Sequence, residues 1–168
     1  DRIIPYRVSG NYDTIFAVMS ITAERDEVID FTQGYTLPDP SAYAATSADV
    51  DVEGGTIATQ TNTIHASFVA EQGWDLQEFA TPEETIAAVK NGEADAVLAD
   101  KSYLADVVGQ DSELVVLERE ELLGGGVGMG VRESDTELKA KFDAAIDSMK
   151  ADGSLNALIT KWEIGDTF

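Results

Sequence analysis

The chain contains no cysteine and only one histidine, His65, among its 168 residues. The lack of cysteine excludes disulfide frameworks, thiolate metal sites and thiol nucleophiles, although it leaves the redox compartment open. No G-x-S-x-G elbow and no H-E-x-x-H pair occurs either, so no catalytic motif, metal or cofactor is implied. We predict that His65 lies at the surface in the first turn of a helix, with contact to a ligand as the alternative.

Long apolar runs are also missing, and none approaches the length of about 18 residues that a membrane span requires. The hydrophobic content of 43% is enough for one sizeable core or two small lobes. The sequence begins at Asp1 without a basic and apolar leader. We therefore expect any signal peptide or lipid anchor to have been removed or to lie outside this sequence.

Basic residues are scarce. Lys and Arg number 11 against 32 Asp and Glu, which gives a formal net charge of -21. Phosphate binding needs a positive surface, so nucleic acid is excluded as a partner. The acid excess is typical of a halophilic or marine protein, because a Debye length of about 3 Å in molar salt suppresses self-repulsion. An ordinary acidic secreted domain is the alternative.

Two stretches of the chain share one order of elements: a helix, a turn that contains glycine, and a strand. In the second stretch, Thr81 and Glu84 form a capping box and Gly92 ends the helix. The repeat predicts two α/β lobes built on the same plan, each with a mainly parallel sheet. The predicted elements are a helix at 1–9, a turn at 10–13 and a strand at 14–19, then a helix from 81–84 to Gly92 and a strand at 94–98.

A further strand and helix are predicted between these two stretches. The strand covers 56–59, and the helix runs over 64–72 from an N-cap at 62–63 to a stop at Gly73. A helix that begins directly after a strand places its N-terminal amides near that end of the sheet.

The C-terminal third is predicted to hold two helices, opened by Ser134 and by Ser154, with apolar stripes typical of core packing. Segments 34–47 and 118–130 lack strong periodicity and contain proline or consecutive glycines. These two segments are our candidates for the crossings between lobes.

The most informative stretch is 19–32, with the sequence MSITAERDEVIDFT, which follows directly on the strand that carries GNYD at 10–13. It closely resembles the signature of the family 3 bacterial extracellular solute-binding proteins, the polar amino-acid receptors of ABC importers. In that signature, G-x-Y-D leads into M-S-I-T-x-E-R and then D-F-S/T-x-x-Y. The resemblance spans almost the entire chain and continues through Asn62-Thr63 at the place of a Gly-Thr helix start, NGEADAVLAD at 91–100, ADGSL at 151–155 and Lys161-Trp162.

The resemblance implies an α/β, two-lobed periplasmic-binding-protein-like fold of type II. Residues 1–42 and 132–168 would form lobe 1, and 43–131 would form lobe 2, inserted into it. Part of lobe 1 is missing by this comparison, because family members ordinarily carry a further N-terminal segment. The implied function is extracytoplasmic binding of a polar amino acid by hinge closure and its delivery to ABC permease subunits. Such a protein is periplasmic or extracellular and reaches the membrane only through the permease or a lipid anchor.

An α-amino acid carries an ammonium and a carboxylate on one carbon, so its receptor needs an opposite charge for each. By the resemblance, the planar fork of Arg25 binds the carboxylate, and the Ser20 hydroxyl donates to the same group. Thr63 and Ile64 present backbone amides to the carboxylate from the N-terminus of a helix in lobe 2. Asp100 accepts bonds from the ammonium at the end of a strand.

The same resemblance gives Val18 a main-chain carbonyl contact in lobe 1. A plain structural interpretation exists for each charged residue. Arg25 could pair with a neighbouring acid such as Glu24, and Asp100 could be one surface carboxylate among 32 Asp and Glu. The residues themselves leave these alternatives open.

Two other classes of protein share this fold. A sensor module uses the same cleft on a tethered chain, and a few relatives are dehydratase-like enzymes, so the fold alone does not determine function. The sequence supplies no general acid with an identifiable neighbour. We therefore expect a binding protein and no catalytic residues.

The acid excess predicts that stability rises with salt, because screening reduces the repulsion among the carboxylates. The melting temperature should increase between about 0.1 and 2 M KCl, measured by thermal unfolding. A flat or falling melting temperature over this range would contradict halophilic design.

Overall fold

The computed structural model describes residues 12–110 and 113–168. The predicted helix at 1–9 and the first half of the turn at 10–13 lie outside the described residues. In chain order the elements are β1 (Ile15–Ser20), α1 (Ala23–Asp26), β2 (Asp30–Phe31), β3 (Ser41–Ala45), β4 (Thr56–Gln60), α2 (Ile64–Gln72), β5 (Asp75–Phe79), α3 (Pro82–Asn91), β6 (Ala96–Asp100), α4 (Lys101–Gln110), β7 (Val115–Glu121), β8 (Val127–Val131), α5 (Thr136–Ala151) and α6 (Ser154–Trp162). No helix in this part of the chain has the length and apolar character needed to cross a membrane.

The structure divides into two compact units. Unit 1 contains the described residues up to Pro38 together with Gly124–Phe168, and unit 2 is Asp39–Leu123. The chain changes unit after Pro38 and after Leu123, and the lobe bounds of 1–42, 43–131 and 132–168 stay a prediction. The division follows the pairing of the described strands, in which β3 pairs with β6 and β7 of unit 2, and β8 pairs with β1 and β2 of unit 1.

The start and stop signals of α2 and α3 are confirmed. Thr63 and Thr81 are the N-caps, and the Thr81 capping box is complete with Pro82 in the first turn. Gly73 and Gly92 follow the two helices in the left-handed conformation, at φ 72 and 75. The strand predicted at 94–98 runs instead over Ala96–Asp100.

The caps predicted for the last two helices are wrong. Asp135, not Ser134, precedes α5, and no side chain caps that helix. Ser154 is the first residue of α6, and its amide donates to Asp152 Oδ1 at 2.8 Å. Hydrogen bonds from Ser154 lower the pKa of Asp152. Gly153 takes φ 78, and this turn allows Asp152 to reach the Ser154 amide.

The sheet of unit 1 has the strand order β1-β8-β2, with β8 antiparallel to both neighbours. The prediction of a mainly parallel sheet is therefore wrong for the described strands of this unit. β1 and β2 do run in the same direction, joined through α1. However, β8 lies between them, and antiparallel pairing with it satisfies the facing backbone groups of both.

Glycines 128 and 130 allow side chains to pack directly on the backbone of β8. A Cβ at Gly128 would lie 2.9 Å from Ile21 Cδ1, and one at Gly130 would lie 2.9 Å from Ile29 Cδ1. Both distances are too short for a methyl group. The core beside this strand consists of Ile15, Ile29 and Phe31, flanked by Met19 and Ile21.

Unit 2 contains a mixed sheet of order β5-β4-β6-β3-β7. β4 is parallel to β5 and β6, whereas β3 is antiparallel to β6 and β7. Because side chains alternate along a strand, the sheet builds one core on each face. One core contains Tyr43, Ile57, Leu98 and Val69 of α2, and the other contains Ala44, Ala58, Val97, Val89 of α3 and Leu104 of α4.

The contacts of β8 predict that Gly130→Ala lowers the free energy of unfolding by about 1–3 kcal/mol, because the added methyl group overpacks the core. Gly109→Ala, inside α4 with nothing within 4 Å of the added Cβ, is the matched control. It should be neutral or stabilise by up to about 1 kcal/mol through helix propensity. Denaturant unfolding measures both, and equal effects of the two changes would contradict the packing argument.

Candidate functional site

The structure places the predicted site residues in both units. Arg25, Ser20 and Val18 lie in unit 1, while the helix start at 63–64 and Asp100 lie in unit 2. The common site predicted for them stays a prediction, and the geometry of each unit is described separately below.

Arg25 lies in α1, directly after the end of β1. Its Nη1 donates to the carbonyl of Ser20 at 2.9 Å, and its amide donates to Thr22 Oγ1 at 3.2 Å. The Thr22 side chain thus caps α1 and fixes the backbone from which Arg25 projects. Burial lowers the pKa of Arg25, and the charge of Glu24 opposes this effect. The guanidinium is therefore partly removed from water.

Arg25 differs from the other two arginines in the described residues. Arg119 bonds to Glu53 and Glu121, both at 2.8 Å, and Arg132 pairs with Asp135 at 3.0 Å. Arg25 forms no ion pair with any carboxylate of the described residues, Glu24 included. An unpaired, half-buried guanidinium is costly in a chain of net charge -21 unless it serves an anion from outside.

The end of β1 beside Arg25 has an unusual backbone. Val18 takes φ 49, a left-handed conformation that is rare for a β-branched residue and costs about 1–3 kcal/mol. Ile15 pairs with Gly130 and Met19 with Gly128, so residues 16–18 are bulged out of the register with β8. Val18 is 80% exposed. The bulge frees main-chain groups at the position predicted to supply a carbonyl contact.

In unit 2, the first turn of α2 presents free amides. Thr63 Oγ1 accepts from the Ala66 amide at 3.3 Å and donates to the Gln60 carbonyl at 2.7 Å. The amides of Ile64 and His65 have no acceptor among the described residues. Together with the helix dipole, such amides form a favourable environment for a carboxylate.

The prediction that His65 lies at the surface is wrong. The residue is 7% exposed, and its Nε2 lies 3.0 Å from Ser41 Oγ and 3.5 Å from Asp100 Oδ1. The signal that could have identified this was its spacing from Val69, because residues four apart share one face of a helix. Val69 belongs to the core, and His65 is buried on the same face.

Asp100 ends β6, opposite Ser41 in the register with β3. Its side chain is 53% exposed, so the carboxylate contacts His65 on one side and is open to solvent on the other. Ser41, His65 and Asp100 do not have the geometry of a catalytic triad. A triad needs the carboxylate on Nδ1 and the hydroxyl on Nε2, whereas here both oxygens approach Nε2.

No cluster of three or more metal-ligating His, Cys, Asp or Glu side chains occurs within 12–110 and 113–168. Of the residues predicted for the site, unit 1 contains one guanidinium without an ion pair to any described carboxylate, and unit 2 contains one solvent-accessible carboxylate and one helix N-terminus. A guanidinium or a helix N-terminus suits a carboxylate, and a carboxylate suits an ammonium.

Comparison with known proteins gives a consistent result. The model of the family described as bacterial extracellular solute-binding proteins, family 3, matches residues 1–166. A periplasmic His/Glu/Gln/Arg/opine family-binding protein from Silicibacter pomeroyi, solved in complex with lysine, is 60% identical, with a TM-score of 0.90 over 100% of this chain and 78% of that one. An ancestral arginine-binding protein bound to arginine is 26% identical, with a TM-score of 0.82 over 96% of this chain and 76% of that one.

Among curated sequences, the ABC transporter arginine-binding protein 1 of Escherichia coli K12 is 25% identical over 96% of this chain and 70% of its own length. The α/β fold of the periplasmic amino-acid-binding proteins is thus confirmed for this chain.

The contrast between the arginines predicts opposite effects on stability. Arg25→Met removes a partly desolvated cation that has no acidic partner within 12–110 and 113–168, so the melting temperature should stay constant or rise. Arg119→Met is the matched control, because it breaks two ion pairs and the stacking of Arg119 on Trp74, 5.0 Å away. It should destabilise by about 1–2 kcal/mol. If thermal unfolding shows Arg25→Met to be the more damaging change, Arg25 has a structural role.

Proposed function

Because the chain belongs to the bacterial extracellular solute-binding proteins, family 3, we propose that it captures a polar α-amino acid outside the cytoplasm. We further propose that it delivers this amino acid to the permease subunits of an ABC transporter. The location that goes with the family is periplasmic or extracellular.

The observation that carries the proposal is the guanidinium of Arg25, which forms no ion pair with any carboxylate in the described part of the chain. Its Nη1 bond to the Ser20 carbonyl holds one edge of the group, which leaves donors on the rest of the fork. A ligand carboxylate accepts two parallel charge-assisted bonds from such a fork, each of roughly 1.5–3 kcal/mol when shielded from water. The Ser20 hydroxyl has no partner among the described residues and is proposed to donate to the same carboxylate.

The groups of unit 2 supply the complementary half of the recognition. The amides at 63–65 are proposed to bind the ligand carboxylate, and Asp100 is proposed to accept the ammonium. Ile64 has no hydroxyl, so only its amide can serve. The bulged backbone at Val18 supports a carbonyl contact to the ammonium from unit 1.

A cationic side chain is the first candidate for the amino acid. The Silicibacter pomeroyi relative was solved with lysine, and the Escherichia coli relative is an arginine-binding protein. The net charge of -21 attracts cationic solutes and raises their local concentration, which favours lysine or arginine over acidic amino acids.

Binding is favoured over catalysis by the geometry around His65. The only imidazole is buried, and both of its oxygen contacts fall on one nitrogen, so it cannot relay a proton between them. One solved structure of similar fold, 24% identical, is an ancestral amino-acid-binding protein and precursor of cyclohexadienyl dehydratase. At that identity the likeness concerns the fold alone. No observation favours a sensor module over a transport protein.

The proposal predicts that Arg25→Lys weakens binding at least about tenfold, or about 1.4 kcal/mol, because lysine keeps the charge but loses the planar fork. Asp100→Asn should weaken it comparably, since the ammonium loses its compensating charge. Isothermal titration of the full-length protein with L-lysine, L-arginine, L-histidine and L-glutamine measures both effects.

Arg132→Lys is the control for a lost guanidinium in unit 1, because Arg132 already pairs with Asp135. It should bind within about twofold of wild type. Wild-type affinity in both Arg25→Lys and Asp100→Asn would show that the carboxylate and ammonium roles are wrongly assigned.

A further inference from the structure

His65 is the buried polar residue that the proposed function leaves without a role. Its side chain is 9% exposed, and Ser41 is 1% exposed. Both polar groups are therefore almost fully removed from water, which is unfavourable unless they are paired. They pair with each other at 3.0 Å, and among the described residues the charged group beside the imidazole is Asp100, at 3.5 Å.

Three elements bring this cluster together. Ser41 begins β3, Asp100 ends β6 directly opposite it, and His65 lies in the first turn of α2. The first two are fixed by the strand register, and the third is fixed by the packing of α2 on the sheet through Val69. Of the three, only Asp100 is substantially exposed. The buried pair of Ser41 and His65 therefore supports one side of the Asp100 carboxylate, and the other side is exposed to solvent.

The cluster also connects the part of unit 2 that favours an anion with the part that favours a cation. The main-chain amide of His65 belongs to the helix turn that favours an anion, and its ring contacts the carboxylate that favours a cation. A change in the ring would therefore alter the position of Asp100 relative to the amides of the turn. If the Asp100 side chain rotated freely, the distance between its carboxylate and the amides of the helix turn would vary.

We propose that His65 is a positioning residue, which holds the Asp100 carboxylate in one orientation so that unit 2 recognises an ammonium at a fixed distance from a carboxylate. This inference rests on the proposed function and deepens it, because it accounts for selection of α-amino acids over compounds that lack the α-ammonium. Ser41 Oγ lies 3.0 Å from the same Nε2 and helps to fix the ring beside Asp100. The imidazole itself makes no contact with the amino acid.

A purely structural role for His65 makes a different prediction. An apolar residue of similar size would fill the same space on α2, but it would leave the Ser41 hydroxyl buried without a partner and Asp100 without its neighbour. His65→Leu is therefore the disruptive variant, and His65→Gln is the conservative one, because its amide can reach the same oxygens. Ser67→Ala, on the exposed side of the same helix turn, is the matched control.

The test is a double-mutant cycle on L-lysine and L-arginine affinity in the full-length protein, measured by isothermal titration. His65→Leu should weaken binding about tenfold when Asp100 is present and less than about threefold in the Asp100→Asn background. His65→Gln and Ser67→Ala should stay within about threefold of wild type. Equal losses from His65→Leu in both backgrounds, or no advantage of glutamine over leucine, would overturn the positioning role.

Crystal structures of the ligand-free wild type and of the His65→Leu and His65→Gln variants provide a readout that needs no amino acid. The Asp100 carboxylate should keep one orientation in wild type and the glutamine variant and lose it in the leucine variant. The same orientation in all three would refute the inference. If the wild type bound neither L-lysine nor L-arginine, the substrate assignment would fail, and these structures alone would decide the role of His65.

Discussion

Unit 1 depends on the close approach of side chains to the backbone of β8. This strand pairs with β1 and β2. The Ile21 amide donates to the Gly126 carbonyl just before the strand at 2.9 Å, and the amides of Thr32 and Tyr35 donate to carbonyls of the strand at 3.0 and 2.8 Å. Both ends of the segment that carries Arg25 are thereby held by one strand. Glycines at 128 and 130 make this possible, since any larger residue would push the isoleucines away from the strand.

The segment recognised in the sequence combines structural and functional residues. Asp30 bonds to Lys139 at 2.6 Å, and the Gln33 amide donates to Asp143 at 2.8 Å, so both attach the segment to α5. Arg25 precedes both residues in the same segment and forms no ion pair with any carboxylate of the described residues. Asp30 and Arg25 both belong to the motif that carries the resemblance. The structure distinguishes them, because a charged group that is already paired inside the fold has few hydrogen-bonding positions left for a ligand.

Local signals predicted local structure well, and long-range packing was the main source of error. The ends of α2 and α3 follow from Thr63, Thr81 and two glycines, because capping bonds span only a few residues. The left-handed Val18 follows from pairing with a strand more than a hundred positions away, which no local pattern reveals. Arg25 was found through resemblance, whereas only the coordinates show that no described carboxylate pairs with it.

The ends of unit 2 meet within its own sheet. β3 begins the unit and β7 closes it, and Ser41 pairs with Glu121 across the two strands. A continuous segment whose two ends are neighbours has the topology of an insertion, so it can be gained, lost or exchanged without cutting a strand of the host sheet. If the whole unit were exchanged, the residues around Asp100 would change together as a block, while the segment that carries Arg25 would stay the same.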